Sequence, residues 1–532
     1  MKSRTAGAWR RALRCRGAIF LIAGLLTSCA ATFNMTTVDK LPQVAVTPSL
    51  AVSADSTQRL EGTHLTLPGK VLEYAYHHPT RKILIRYMKG AKQSEFVLYD
   101  LAQQRAQWAV KSNAVISTLK ETAAILHFQG PKVLDARDGR FLRDGEPGFW
   151  TTSRENVALS LTKDKYAGVN LLTGGELWQR AGNDCEGYRW AMTDSAWVYV
   201  VANGVQAFQL ANGEGWAFTT STSSKAVGKE VGKHVALGIL GALTGTIPTA
   251  GWDPDLTHNL CSYPLVNNDR VYFAARDNVY CFEQKTGKVL WQTKLPQEPG
   301  TLIVAMAGPY VAVIGEGWKY RDYRIIKALP PMLALFDRNS GEPAGQFSTD
   351  TSDVFMDFNW QEKDAYFLTS KRLYHLDHQL KVMGMREAEN GWGQFVRLLD
   401  SEKSVIARTA NGIATIEANS LETIGHKKLG SEKLNVKFET DPKWREGVTA
   451  LVIKTNERQG KWRQQDIEWL VSDKGLSAVD FAEAAKVMME VPFAGRNFKV
   501  HDDGVLITFD EKQLAVVDLS AVKKLSQDMS NR

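Results

Sequence analysis

Cysteine is scarce in this chain, 5 among 532 residues, and no two are adjacent. A fold held by a dense disulfide framework is thereby excluded. Apolar runs are short as well: Gly17 to Leu26 and Val235 to Pro248 both fall below the roughly 20 residues that a membrane-spanning helix needs. Catalytic signatures are missing too. The chain contains neither a Gly-x-Ser-x-Gly nucleophile elbow nor a phosphate-cradling Gly-Lys-Ser/Thr loop. His77 and His78 precede Pro79, and His375 and His378 flank a tight turn, but no Cys or carboxylate stands at the spacing of a zinc or facial-triad site. These histidines are read as solvated turn residues. The expectation is a protein with no metal, no cofactor and no catalytic residue, hence not an enzyme.

A basic balance is also less than it seems. The formal net charge is +7, yet Lys2, Arg4, Arg10, Arg11, Arg14 and Arg16 all lie before Cys29, and no acidic residue does. Without residues 1–28 the charge is +1. Nucleic acid is thus excluded as a partner, because its binders need a concentrated basic footprint. The positive stretch, the apolar run and Leu26-Thr27-Ser28-Cys29 together read as an export signal.

What the chain does have is a repeat. Asn170 to Trp178 and Glu283 to Trp291 share one pattern: a polar residue, then Thr173-Gly174 or Thr286-Gly287, then Trp at identical spacing. Each copy follows an alternating strand, turns on a glycine able to take positive φ, and resumes as a strand. Asp100 with Trp108 keeps the spacing, Gln209 to Trp216 and Asp135 to Gly139 are worn copies, and Asp337 to Gly341 keeps the turn alone. Strand starts at Phe96, Val133, Val169 and Val205 lie 37, 36 and 36 residues apart. Further starts at Val279, Leu333, Leu373, Ile413, Glu468 and Leu514 bring the candidate units to ten. Four short strands cannot bury both faces of their own sheet, so such units must stack on their neighbours. The reading is all-β: a single β-propeller of four-stranded antiparallel blades, centred on eight within a range of seven to ten. It occupies residues 60–525, with an N-terminal strand drawn from Leu65 to Tyr74 closing on Leu506 to Leu519, and with a short helix near Phe481 to Met489.

The Thr-Gly-x-x-x-Trp pattern resembles the tryptophan-docking motif of the quinoprotein-type (PQQ-like) propeller family. That resemblance implies that Trp108, Trp178, Trp216 and Trp291, with Thr173, Gly174, Thr286 and Gly287, lock one blade to the next. The dehydrogenases of that family hold their quinone against a vicinal cysteine pair, which this chain lacks. Leu26 to Cys29 resembles a bacterial lipobox, which implies cleavage after residue 28 and a lipid on Cys29. Ala30 in place of Asp then implies retention at the outer membrane, and residues 29–59, small and polar, read as a flexible tether. A lipobox followed by one such propeller resembles the BamB family of outer-membrane assembly lipoproteins. The implied function is a non-enzymatic, lipid-anchored envelope scaffold binding envelope or outer-membrane proteins. The alternative is a periplasmic quinoprotein or carbohydrate-active enzyme using the central funnel.

Departures from period mark where binding residues sit on a rigid ring. The largest is an insertion at about residues 219–258. Its Gly-rich opening and uncharged run, with Leu237, Ile239, Leu240 and Leu243, read as a helix docking on a partner or lying on the lipid surface, or as a plug or lid on the ring itself. A second departure, around Trp318, Tyr320 and Tyr323, has the residue types of interface anchors, and equally those of a half-exposed strand pair. With Cys15 removed and Cys29 acylated, three cysteines remain; Cys185 and Cys261 are read as a possible disulfide pair, and Cys281 as a buried strand residue.

Overall fold

A computed structural model describes residues 33–519 apart from 53–58, 221–260, 429–435, 440–447, 453–461 and breaks of at most eight residues elsewhere. Among the described residues ten sheets are antiparallel runs of neighbouring strands, and every candidate unit of the sequence falls in one. They occupy 70–112, 115–144, 149–181, 190–219, 265–294, 302–348, 355–387, 395–428, 462–492 and, for the tenth, 497–518 with Arg59–Thr66 as its fourth strand. The fold is a β-propeller built mainly of four-stranded antiparallel sheets; ten such units occur among the described residues, inside the expected range of seven to ten and above its centre of eight, beside one further sheet formed by connecting segments.

Stacking of thin sheets gives an apolar cluster at each of eight seams among the described residues. Leu65, Val71, Ile83, Tyr99, Ile507 and Leu514 join unit ten to unit one. Leu98, Trp108, Leu126 and Leu134 join one to two, and equivalent clusters join every consecutive pair on to the seventh and eighth. Closure runs through Arg59–Thr66 on Gln513–Asp518, with Leu65 opposite Leu514. Val71 to Tyr74 begin the first unit's own inner strand, Lys70–His77, instead of extending the closing strand.

Three expectations are corrected. The stretch read as a flexible tether is built into the sheets: Met35–Thr37 pairs with Arg105–Ser112, and Ala45–Val52 with Arg59–Thr66. Backbone pairing there occupies edges that would otherwise present unpaired groups. Lys486–Pro492 is a strand paired with Gly475–Asp480, where a helix was read; Val487 and Val491 suit a pleated sheet better than a helix. His375 is buried, stacked on Tyr366 at 5.0 Å and 3.3 Å from the Asp364 carboxylate, so it is no solvated turn residue.

An antiparallel meander places its connections on alternate faces of the ring. Turns joining first to second and third to fourth strands share one face, where backbone bonds tie them together: Leu101 N to Arg81 O, Ala136 N to Thr122 O, Leu210 N to Ala196 O, Gln284 N to Asp269 O and Arg338 N to Pro309 O. This is the turn face. Second-to-third connections and those between units lie opposite, on the connection face, as Asn411 N to Trp392 O and Leu295 N to Asp277 O record. All three long departures from period, 220–264, 316–331 and 429–461, leave on the connection face. Two of them meet there: the hairpin Trp318–Arg321 and Arg324–Lys327 pairs with Val448–Val452, which pairs with Val436–Glu439.

Candidate functional site

The recurrent site of this ring is the seam where the fourth strand of one unit meets the outer turn of the next. Each turn is fixed by its opening polar residue. Asn170 Oδ1 accepts from the amides of Leu172 (2.9 Å) and Thr173 (3.0 Å), while Gly174 N donates to Asn170 O (2.9 Å). In the other copy Gly287 N donates to Glu283 O (2.9 Å), and the Thr286 hydroxyl bonds the Glu283 carboxylate. Thr173 and Thr286 also accept from the amides two residues on, at 3.2 and 3.1 Å. Their hydroxyls therefore shape the turn.

Past the turn, an extra residue enters the fourth strand. Gln107, Leu177 and Leu290 are bulged, so Trp108, Trp178 and Trp291 stand opposite Leu98, Gly168 and Cys281. A bulge re-aims the side chain that follows it. Unit four has a span one residue shorter from Gln209 to Trp216, no bulge there, and Trp216 still opposite Ala207, so the indole keeps its place.

Each indole then meets the next unit in the same way. Nε1 donates to the carbonyl of the second turn residue: Trp108 to Ala136 (2.9 Å), Trp178 to Leu210 (2.7 Å), Trp216 to Gln284 (2.7 Å) and Trp291 to Arg338 (3.2 Å). The ring lies on the turn glycine. A Cβ on Gly139, Gly213, Gly287 or Gly341 would come within 2.4 to 2.6 Å of it. Gly287 shows why no other residue serves: φ is +70°, and Trp216 fills the space a side chain would need. Two residues beyond the indole, Arg180 and Thr293 donate to the carbonyls of Gly213 (2.9 Å) and Gly341 (2.6 Å).

Other seams reach the same end with different residues, which the sequence reading missed. Arg143 stands eight residues after Asp135, the position of the indole, and lies on Gly174 with its guanidinium 3.4 and 3.3 Å from the carbonyls of Leu171 and Asn170. The eight-residue offset was a usable signal. Between units seven and eight the sizes are exchanged: Gly384 occupies the strand position, and Leu421 enters from the turn at φ +57°. Tyr366 donates to Ala418 O (3.2 Å), the carbonyl an indole would take, and Arg386 donates to Leu421 O (2.6 Å). Gly345 similarly admits the Gln379 backbone directly.

Acidic turn residues are held ionised. Backbone amides of Ser340 and Asn339 (2.9 and 2.8 Å) keep the Asp337 carboxyl below its usual value. A depressed folded value means that this contribution is present above the unfolded carboxylate range near about pH 4 and is lost as pH falls through the folded value. Unfolding midpoints measured from pH 6 down to pH 3 should therefore fall less steeply for Asp337→Asn than for the wild type; identical slopes would refute the role.

Remaining candidates are scattered. Cys29, Cys185, Leu237, Ile239, Leu240 and Leu243 lie outside the described residues, as do Tyr323 and the side chain of Tyr320. Trp318 is buried against Val354 and Met356, so its apolar area serves the ring and is not open to a partner. Cys261 forms a backbone bridge with Ala275. Cys281 is buried, its thiol pushed up to about 11 by desolvation, which leaves it unreactive. No group of three or more His, Cys, Asp or Glu able to hold a metal occurs among the described residues.

A closing cluster also escaped the sequence reading. Asp503 accepts from Tyr76 (2.9 Å) and pairs with His78 Nδ1 (2.5 Å), and Tyr74 lies 3.3 Å from His501 Nε2, so polar bonds tie the turn of unit ten to unit one.

Indole seams at four junctions among the described residues give this β-propeller the likeness of the quinoprotein-like type. Residues 244–317 match the family model described as outer membrane protein assembly factor BamB. Among solved structures, BamB from Moraxella catarrhalis aligns at 12% identity and TM-score 0.34, covering 71% of this chain and 98% of that one. Sqt1 of Saccharomyces cerevisiae aligns at 10% and 0.34, covering 80% and 97%, and Hsv2p of Kluyveromyces lactis at 7% and 0.29, covering 68% and 99%. No curated protein matches.

Proposed function

We propose that this chain is a non-enzymatic scaffold of the bacterial envelope, anchored by lipid on Cys29 at the periplasmic face of the outer membrane and binding partners in outer-membrane protein assembly. The match of residues 244–317 to the BamB family model carries the reading. Support comes from the lipobox-like Leu26 to Cys29 and from a ring whose repeated seam geometry favours rigidity. A rigid ring is a platform for loops.

Expression of the full chain in a Gram-negative host tests this. The mature N-terminal peptide should begin at Cys29 and carry the mass of a diacylglyceryl modification, and the ring should sediment with outer membranes. Cys29→Ala should release it to the soluble fraction. Affinity capture from detergent-solubilised envelopes should recover β-barrel assembly proteins with the lipidated form. A quinone absorbance in the purified protein, or an unmodified N-terminus with soluble behaviour, would overturn the proposal.

A further inference from the structure

We infer that the ring turns its connection face toward the lipid surface, with the seam of units one and two nearest to it. This rests on the reading of Cys29 as the lipid-bearing residue, and it adds an orientation which that reading does not contain.

The first described residues fix where the chain joins the ring. Phe33 packs among aromatic rings of unit two, 6.0 Å from Phe128 and 5.6 Å from Phe141, with Lys132 Nζ 5.0 Å above its ring. Asn34 N donates to Asn113 Oδ1 (3.2 Å). Asn113 lies in the connection from unit one to unit two, and Phe128 ends the second strand of unit two, Ala123–His127, where its second-to-third connection begins. Both are on the connection face; Phe141 starts the fourth strand after the 136–140 turn, so Phe33 lies along the outer edge of unit two and the backbone bond of Asn34 is what fixes the entry point. From there Met35–Thr37 runs along the outer edge of Arg105–Ser112, starting at Ser112.

Chain length then decides which face meets lipid. Cys29 precedes Phe33 by four residues, which span at most about 14 Å when extended. The strand Arg105–Ser112, which separates the faces, is about 26 Å long at its eight residues. A lipid on Cys29 therefore reaches round the connection face and stops short of the turn face. Side chains at this edge suit the contact: Met88 and Val115 are exposed apolar residues at the connection-face ends of their strands, and Lys89 beside them is exposed and cationic. Apolar groups with adjacent positive charge favour an anionic lipid surface. The connection whose sequence holds the uncharged run Val235 to Pro248 also begins and ends on this face.

The experiment uses the full lipidated protein in vesicles of phosphatidylethanolamine and phosphatidylglycerol carrying doxyl-labelled lipid. A fluorescent non-natural residue is placed at Lys89 on the connection face or at Arg137 on the turn face, both exposed. Quenching at position 89 should exceed that at 137 by about twofold or more, and it should vanish for Cys29→Ser. Equal or reversed quenching, with the diacylglyceryl mass on Cys29 confirmed, would overturn the orientation and leave the anchor standing. An N-terminus without lipid would overturn both.

Discussion

Trp216→Ala should lower the unfolding free energy by about 3 to 5 kcal/mol, the range for truncating a large buried aromatic. The indole is buried between units four and five, 5.2 Å from the Phe282 ring, and its Nε1 holds Gln284 O at 2.7 Å. Truncation removes three things together: apolar burial, the bond, and the surface on which Gly287 rests. The carbonyl left behind costs about 1 to 3 kcal/mol if it finds no water. Trp216→Phe should recover part of the burial and none of the hydrogen bond, placing it between the two. Denaturant titration followed by fluorescence measures the series. A change below about 1 kcal/mol for Trp216→Ala would mean that the seam relaxes around the gap, and the indole would not be the fastening it is taken to be.

The second large effect concerns the seam of exchanged sizes. Gly384→Trp alone should destabilise by overpacking, since even a Cβ at Gly384 meets Leu421 Cδ1 at 3.1 Å; overpacking costs about 1 to 3 kcal/mol. Leu421→Gly alone opens a cavity worth about 2 to 5 kcal/mol, offset by about 1 kcal/mol because φ +57° no longer strains a branched residue. Together the two changes rebuild the arrangement of the other seams, with Trp on the strand and Gly in the turn. The double variant should be more stable than the sum of the singles by about 1 to 3 kcal/mol, read from a double-mutant cycle. Strict additivity would show that Gly384 and Leu421 are not each other's complement.

How much of this was legible depended on where the information lies. The Thr-Gly-to-Trp spacing exposed the seams of Trp178 and Trp291 because an indole and a positive-φ glycine each leave a distinctive residue. Arg143 carries the same offset but not the same chemistry, so the Trp pattern does not include it. Leu421 and Gly384 were illegible from pattern alone. The contact is conserved as a volume shared across two units, and either partner can supply it. The tether differs for a related reason: Met35–Thr37 and Ala45–Val52 are short strands set among small and polar residues, and the composition of the whole stretch also describes loose chain. Asp503, His78 and Tyr76 were unreadable since 425 and 427 residues separate the partners. The ring-wide alternation of faces, by contrast, follows from the meander once the strands are counted.

Arg59–Thr66 beside Gln513–Asp518 sets a timetable for biogenesis. The first of these strands is made at the start of synthesis, while its mate arrives only after nearly every other unit. Contacts of such sequence separation form late and slowly. Until then the nascent protein is an open arc with two unfinished margins, vulnerable to pairing with a sister molecule. A truncation that stops before Gln513 leaves that arc permanently open, so proteases and chaperones should discriminate sharply between a chain missing its final strands and one that is whole.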